Sequence, residues 1–385
     1  MSPNPESALG RKGSCWFGPG RFTLWLAMAV AAAFPGVLVG VESFGYRDFG
    51  TFTYPLAYYH RESFWRGELP FWNPLNNCGL PFLAQWNTLT LYPPAMLYLL
   101  LPLPWSLNVF CLAHLVLAGL GMYHLARRWS GEPLGASVAG MAFALNGLSL
   151  SALMWASVTA ALGWMPWVVL WAERAWREGG RRVIVAGGVG ALQMLTGAPE
   201  VIVLTWSLLA AMAGAQLVGG QVQRAWWLLR LGGVALIVTG LSAPQLLPFL
   251  DLVAHSDRTA QFAASQDLVA QWWTMPYWGW ANLLVPMFRS QLTPMGTYVH
   301  SVESWVASFY CGSGVLALAL VAGTGLPWRR GRFLMVAAVV AWVLALGPKA
   351  GLYDWLRWLF PPVGLMRYPA KFIVLSLFAL PLLAA

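Results

Sequence analysis

The chain has few charged residues and few cysteines. The first shortage argues against a soluble domain, and the second argues against a disulfide-rich scaffold. Only 10% of its 385 residues are charged, whereas a soluble domain carries about 25%. Its four cysteines include no CxxC pair and make no disulfide scaffold. A bridge between Cys78 and Cys311 is the one pairing we consider. The phosphate loop of nucleotide hydrolases and the GxSxG turn of serine hydrolases are also absent, so neither chemistry has support.

Apolar residues make up 58% of the sequence and occur in long runs. Runs of about 18 or more apolar residues indicate membrane-spanning helices. We therefore predict an all-α polytopic membrane protein, in which residues 1–385 form a single transmembrane domain and the partner is the lipid bilayer. The predicted spans lie near 22–41, 105–126, 134–152, 157–173, 183–199, 201–218, 228–248, 305–326, 333–347 and 371–385.

The basic residues fall in short clusters between these runs, which argues against nucleic acid as a partner despite the net charge of +9. Alternate links are basic, and by the positive-inside rule they are cytoplasmic. The N-terminus is then cytoplasmic, and three segments are extracytoplasmic: 42–104, 249–304 and 347–371. The last apolar run ends without a closing loop, so we expect that the natural protein continues or that this chain is a fragment.

The extracytoplasmic segments carry most of the acids, which makes them the place to look for chemistry. Asp48 follows the first span and is the leading candidate for a general base or a metal ligand. The alternative is an ordinary solvated acid beside Arg47. Glu42, at the end of the span, is a weaker candidate. No pair of histidines shows metal-ligand spacing. Whether Asp48 binds a divalent cation is therefore left open by the sequence.

Other charged residues also lie at the predicted outer ends of helices. Arg367 and Lys371, in LMRYPAKF, suit contact with a phosphate, or they are snorkelling cations at a helix end. Glu200, in LTGAPE, lines a cavity or simply favours the positive end of a helix. His255 and Arg258, in AHSDRTA, join the same site or form part of a local ion pair.

Four stretches, in this order, carry a resemblance to a known family. They are RDFGTFTYPLAYYHRESFWRGELPFWNPLNNCGLPFLAQWNTLTLYPP, LTGAPE, SAPQLLPFLDLVAHSDR and LRWLFPPVGLMRYPAKF. These stretches are spread over most of the chain. In their order and spacing, the chain resembles the YfhO family of bacterial membrane proteins, within the GT-C superfamily of glycosyltransferases. The resemblance implies a GT-C-like helix bundle whose long first outer loop contains interfacial helices. It also implies further C-terminal spans and an outer domain in the natural protein.

The resemblance also implies an activity: transfer of a sugar from a polyprenyl-phosphate donor to a cell-envelope glycan, lipid or protein on the outer face of the bacterial inner membrane. GT-C enzymes carry an acid in the first outer loop, and Asp48 is the matching position. Two other functions stay open, a lipid or polysaccharide transporter or flippase and a non-catalytic assembly protein. A transporter needs polar groups near the bilayer midplane, where Asn146, Gln193 and Gln245 are the main candidates.

Overall fold

The computed structural model describes residues 16–45, 47–76, 78–218, 224–256, 273–294, 298–300, 305–325, 329–360, 363, 366 and 368–385. Most of this part of the chain is helical, and strands β1 (Ser290–Leu292) and β2 (Tyr298–His300) pair antiparallel. The α-helices are α1 (Pro19–Ala33), α2 (Pro35–Leu38), α3 (Tyr54–Trp65), α4 (Leu97–Leu100), α5 (Trp105–Ser130), α6 (Pro133–Ala144), α7 (Gly147–Ser151), α8 (Ala156–Glu178), α9 (Arg181–Leu195), α10 (Pro199–Val218), α11 (Arg224–Ala254), α12 (Ser313–Gly325), α13 (Arg329–Ala345), α14 (Leu352–Leu359) and α15 (Ile373–Ala384).

Four helical segments in this part of the chain are long and apolar enough to cross a membrane. They are Trp105–Ser130, Pro133–Met154, Pro199–Leu217 and Ala225–Ala254. This confirms the prediction of a helical membrane protein. The other predicted spans fall on α8 and on five helices of 12 to 17 residues, whereas a perpendicular crossing needs about 20. The number of passes and their orientation therefore stay predictions.

The bundle is built around α5 and α8, which pack against each other. The far side of α8 contacts α9, α10 and α11, while the far side of α5 contacts α1 and α6. The last helix, α15, lies against α6, α10, α12 and α13. The closest approach of α5 to α6 uses two glycines, because a Cβ on Gly119 would lie 3.0 Å from the Gly140 carbonyl oxygen. Small residues allow such contacts between membrane helices.

Two predicted spans differ from the structure. The run 134–152 is interrupted after α6, where the Asn146 side chain accepts from Ser149 N at 2.9 Å and begins the short helix α7. The run 305–326 becomes helical only at Ser313. Residues 305–309 instead form a non-helical strap, in which Asn282 Oδ1 accepts from Phe309 N at 2.9 Å and the Ser151 hydroxyl accepts from Ala307 N at 3.3 Å. Side chains thus satisfy two backbone N–H groups of the strap without a helix.

The disulfide we considered between Cys78 and Cys311 is not formed, and both are free thiols. Cys78 is exposed in a turn of the first loop, whereas Cys311 is buried just before α12. This pairing was wrong because equal placement on one face of a membrane does not bring two side chains together.

An arginine cluster joins helix ends that the charge pattern assigns to the cytoplasm. Glu173, which is 1% exposed, accepts a hydrogen bond from Arg330 at 2.8 Å and forms ion pairs with Arg177 at 3.0 Å and with Arg128 at 3.7 Å. These three arginines belong to α5, α8 and α13. Their meeting at one end of the bundle supports the alternation of basic and acidic links that the sequence predicted.

Candidate functional site

Asp48 lies near the start of the first loop (residues 42–104), just before the chain enters α3. It precedes a single π-helical turn, Phe49–Thr53, which leads directly into the helix. The turn is anchored by the buried ring of Phe49 and by the Thr53 hydroxyl, which donates to the carbonyl of Met154 at 2.8 Å. Asp48 itself is half-buried, and its Oδ2 accepts from the indole Nε1 of Trp155 at 2.7 Å. The carboxylate is therefore oriented by a group more than a hundred residues away in the chain.

Trp155 connects Asp48 to the strap before α12. It occupies the extended residue before α8, which turns its ring away from the helix. The ring stacks on that of Trp305, with centroids 6.5 Å apart and planes inclined by 19°. Trp305 is 5% exposed and Trp155 is half-buried, and the pair forms an aromatic wall beside the carboxylate.

Lys371 lies beside Trp305 of that wall. Its Nζ lies 5.7 Å from the centroid of the Trp305 ring and 4.9 Å from that of Tyr368, both within the range of cation–π attraction. The same Nζ donates to Glu200 Oε1 at 2.6 Å. The Lys371 and Glu200 side chains are 14% and 21% exposed, so the pair is largely withdrawn from water.

Glu200 is held in place by a close contact with the first loop. The link between α9 and α10 passes through Gly197, which has a φ of +66°, and a Cβ there would overlap the carbonyl of Trp86. Trp86 Nε1 in turn donates to the carbonyl of Met194 at 2.7 Å. Glycine is required at this position both for the backbone angle and for the space. Glu200 then falls in the first turn of α10, at its positive end.

Lys371 is positioned by the segment that precedes α15. It lies in a single 3-10 turn, Pro369–Phe372, and the backbone N of Ala370 donates to the carbonyl of Trp273 at 3.3 Å. The ring of Trp273 packs on Tyr368 with centroids 4.5 Å apart. The segment 249–304, which the sequence predicted to be extracytoplasmic, thus supports the residues that surround the lysine.

We call Asp48, Trp155, Trp305, Tyr368, Lys371 and Glu200 the Asp48–Glu200 cluster. Asp48 contacts Trp155, Trp155 contacts Trp305, and Lys371 contacts Trp305, Tyr368 and Glu200, so the cluster contains two carboxylates, one ammonium and three aromatic rings. Among the described residues, Trp155 is the group that donates a hydrogen bond to the Asp48 side chain. It engages one carboxylate oxygen, Oδ2, and so the other oxygen can accept a proton. A carboxylate held in this way suits general-base chemistry, and a cation suits a leaving anion; here the two charges are linked through the rings of Trp155 and Trp305.

The remaining predicted residues are placed elsewhere or fall outside the described ranges. Glu42 is exposed, and its carboxylate lies over Gly36, where an added Cβ would meet Oε2 at 2.5 Å. His255 is exposed at the end of α11 and lies 3.3 Å from the carboxylate of Asp251. Neither contacts the Asp48–Glu200 cluster. Arg367 and Arg258 lie outside the described residues.

Trp155 and Trp305 were missed by the sequence reasoning, although they connect the cluster. With 24 tryptophans in the chain, no single one is distinguished by its type. Their one sequence signal is position: Trp155 lies just outside a predicted span and Trp305 is the first residue of another, both at predicted outer ends of helices. Aromatic residues are common at that depth in any membrane protein, and so this signal is weak.

The polar residues inside the bundle are engaged with the protein. Gln245 donates to the carbonyl of Leu83 at 2.9 Å and accepts from Leu91 N at 3.3 Å. Gln193 donates to the hydroxyl of Thr205 at 2.9 Å, while its Oε1 is buried without a partner. Asn146 caps α7. These groups stabilise helix ends and loops, which fits a structural role better than a polar pathway across the bilayer.

His60, one of the residues with metal-binding chemistry in the first loop, is fully buried. Its ring packs edge-on against Phe64 and Tyr98, and neither of its nitrogens has a hydrogen-bond partner. Burial lowers the pKa of His60 from 6.5 to about 4. In the part of the chain that the structure describes, no three His, Cys, Asp or Glu side chains are grouped so that they could hold a metal ion.

Comparison with known proteins identified no relative of this chain. The chain matches no family model, no curated protein and no solved structure. The functional argument therefore depends on the residues themselves.

Proposed function

We propose that the protein is a membrane glycosyltransferase of the GT-C type, similar to the YfhO family. It would transfer a sugar from a polyprenyl-phosphate donor to an acceptor of the bacterial cell envelope, on the extracytoplasmic face of the inner membrane. The observation that carries the proposal is the Asp48–Glu200 cluster. It unites residues from remote segments that include RDFGTFTYP, LTGAPE and LMRYPAKF, three of the stretches on which the resemblance rests.

The fourth stretch also reaches this region. Gln245, in SAPQLLPFL, forms two hydrogen bonds with the backbone of the first loop, at Leu83 and Leu91. A solvated loop acid, which is the simplest alternative for Asp48, does not require the hydrogen bond from Trp155 through which Asp48 is linked to the other two stretches of the cluster. This assembly therefore favours a functional site.

The chemistry assigns a different task to each charge. Asp48 takes the proton of the acceptor hydroxyl as its oxygen attacks the anomeric carbon of the donor sugar, and the bond from that carbon to the phosphate oxygen breaks. The leaving polyprenyl phosphate carries negative charge, which Lys371 stabilises. Attack opposite to the leaving group inverts the configuration at the anomeric carbon.

Glu200 has a part in this scheme because it neutralises Lys371 when no phosphate is present. An unpaired ammonium that is only 14% exposed is unfavourable, and the contact of 2.6 Å to Glu200 relieves that penalty. A donor phosphate competes with Glu200 for the lysine. The carboxylate thus tunes the affinity for the donor rather than the chemical step.

Asp48→Asn is the sharpest test. Asparagine keeps an oxygen that accepts from Trp155 but removes the base, so the fold is expected to persist while sugar transfer falls at least about 100-fold. Glu42→Gln is the matched control, because Glu42 is an exposed acid in the same loop. Transfer is measured with radiolabelled polyprenyl-phosphate sugars in reconstituted membranes, with and without a chelator to detect dependence on a divalent cation. Full activity of Asp48→Asn would remove Asp48 from the mechanism.

A further inference from the structure

The first loop contains a polar cavity that shares no residue with the Asp48–Glu200 cluster. It lies between one face of α3 and the turn that begins at Trp72, and it has a volume of about 520 Å³. Its walls include Tyr58, Glu62, Arg66, Glu68 and Trp72. Sites for small ligands commonly enclose about 300–1,000 Å³, so the size suits a small organic group. We call it the α3 pocket.

The backbone holds Trp72 in place while leaving its ring accessible. The hydroxyl of Tyr59 donates to the carbonyl of Trp72 at 2.6 Å, and the next residue, Asn73, pairs with Leu80 through two backbone hydrogen bonds. The indole packs on Gly79, where a Cβ would lie 2.5 Å from the ring. Trp72 is nevertheless 55% exposed. A fixed and exposed aromatic face is a suitable platform for a ligand, because little side-chain entropy remains to be lost on binding.

The polar groups of the pocket define the chemistry that fits. Arg66 Nε donates to Glu68 Oε2 at 3.2 Å, and Glu62 is paired with Arg61 at 3.3 Å. These charges are already balanced, and two carboxylates face the cavity with one guanidinium. An anionic ligand would meet net repulsion, and an acyl chain would leave the charged groups without water. A neutral ligand with several hydroxyl groups satisfies them instead.

We propose that the α3 pocket binds a neutral saccharide unit of a glycan. The C–H face of a pyranose stacks on Trp72, while its hydroxyl groups donate to Glu62 and Glu68 and accept from Arg66. The binding itself is independent of the proposed transferase activity. The identification of this glycan as the acceptor rests on that activity, since the pocket and Asp48 both lie in the segment 42–104.

Binding is tested on the full-length protein in lipid nanodiscs, with neutral tetrasaccharides of hexose and of N-acetylhexosamine as probes and without any donor. Trp72→Ala removes the platform, and Glu62→Gln is a milder change that keeps the shape of the side chain. Phe71→Ala is the matched control, because Phe71 is adjacent and 61% exposed but does not line the pocket. Unfolding temperature shows whether each variant is folded.

We expect saturable binding of at least one tetrasaccharide by the wild type. Trp72→Ala should weaken it by roughly tenfold, Glu62→Gln by a smaller factor, and Phe71→Ala not at all. The proposal is overturned if the wild type binds neither probe, or if Phe71→Ala weakens binding as much as Trp72→Ala. Binding without any sugar transfer would leave the pocket assigned and refute the transferase alone.

Discussion

Glu173 provides the most demanding test of the fold, because a single carboxylate joins three helix ends. Its side chain is 1% exposed and lies within 3.7 Å of three arginines. It also accepts from the indole Nε1 of Trp129 at 2.7 Å. In Glu173→Gln the amide oxygen can still accept from Trp129, but the three guanidinium groups lose their shared negative charge.

The size of the effect follows from the exposure of the partners. Removing one member of a buried ion pair costs about 3–5 kcal/mol. Arg128, Arg177 and Arg330 are 27%, 35% and 32% exposed, so water compensates part of the lost charge. We therefore expect Glu173→Gln to lower the free energy of unfolding by about 2–3 kcal/mol.

Glu178 on the same helix is the matched control. It pairs with Arg128 and Arg182 but is 31% exposed, so Glu178→Gln should lower the free energy of unfolding by only about 0–1 kcal/mol. Both variants are unfolded reversibly with denaturing detergent in mixed micelles, and the losses are compared. Equal losses for the two variants would refute the view that the buried carboxylate, rather than total charge, holds these helix ends together.

Three further predictions concern the outer side of the bundle. Gly197→Ala should lower the free energy of unfolding by about 2 kcal/mol or more, since the added Cβ overlaps the carbonyl of Trp86 at a positive φ; equal stability in the same detergent assay would contradict this. Trp155→Phe keeps an aromatic ring but removes the donor to Asp48, so sugar transfer should fall roughly tenfold at unchanged stability. His60 has a folded pKa of about 4 against 6.5 in the unfolded chain, so the native state binds fewer protons. Stability is therefore full above pH 6.5 and falls by up to about 3 kcal/mol towards pH 4; His60→Leu should flatten this profile, and an unchanged profile would refute the assignment.

The sequence predicted the class of the protein because that class depends on summed hydropathy. Long apolar runs such as those of α5 and α11 are recognised from hydropathy alone. The charge pattern assigned Arg128 and Arg330 to the same side of the membrane, and in the structure both contact the carboxylate of Glu173. The helix at 305–326 was predicted to begin too early. Its backbone up to Phe309 is satisfied by the side chains of Asn282 and Ser151, and hydropathy does not detect such distant partners.

The candidate site was predicted only in part. Asp48, Glu200 and Lys371 were each named from their position near helix ends, and the structure joins them through intermediates. Trp155 and Trp305, which make that connection, were not foreseen, because the contact between them depends on how α8 and the strap before α12 pack. Residue type alone does not reveal such a contact in a chain rich in tryptophan.

Photolabelling is the direct test of whether a polyprenyl phosphate binds at the Asp48–Glu200 cluster. A polyprenyl-phosphate sugar with a photoreactive group on the sugar is irradiated with the protein in nanodiscs, and the labelled peptides are identified by mass spectrometry. The account predicts labelling of peptides that contain Trp155, Trp305 or Lys371, and its suppression by excess unlabelled polyprenyl phosphate. Labelling confined to lipid-facing helices such as α11, or labelling that the competitor leaves unchanged, would contradict it.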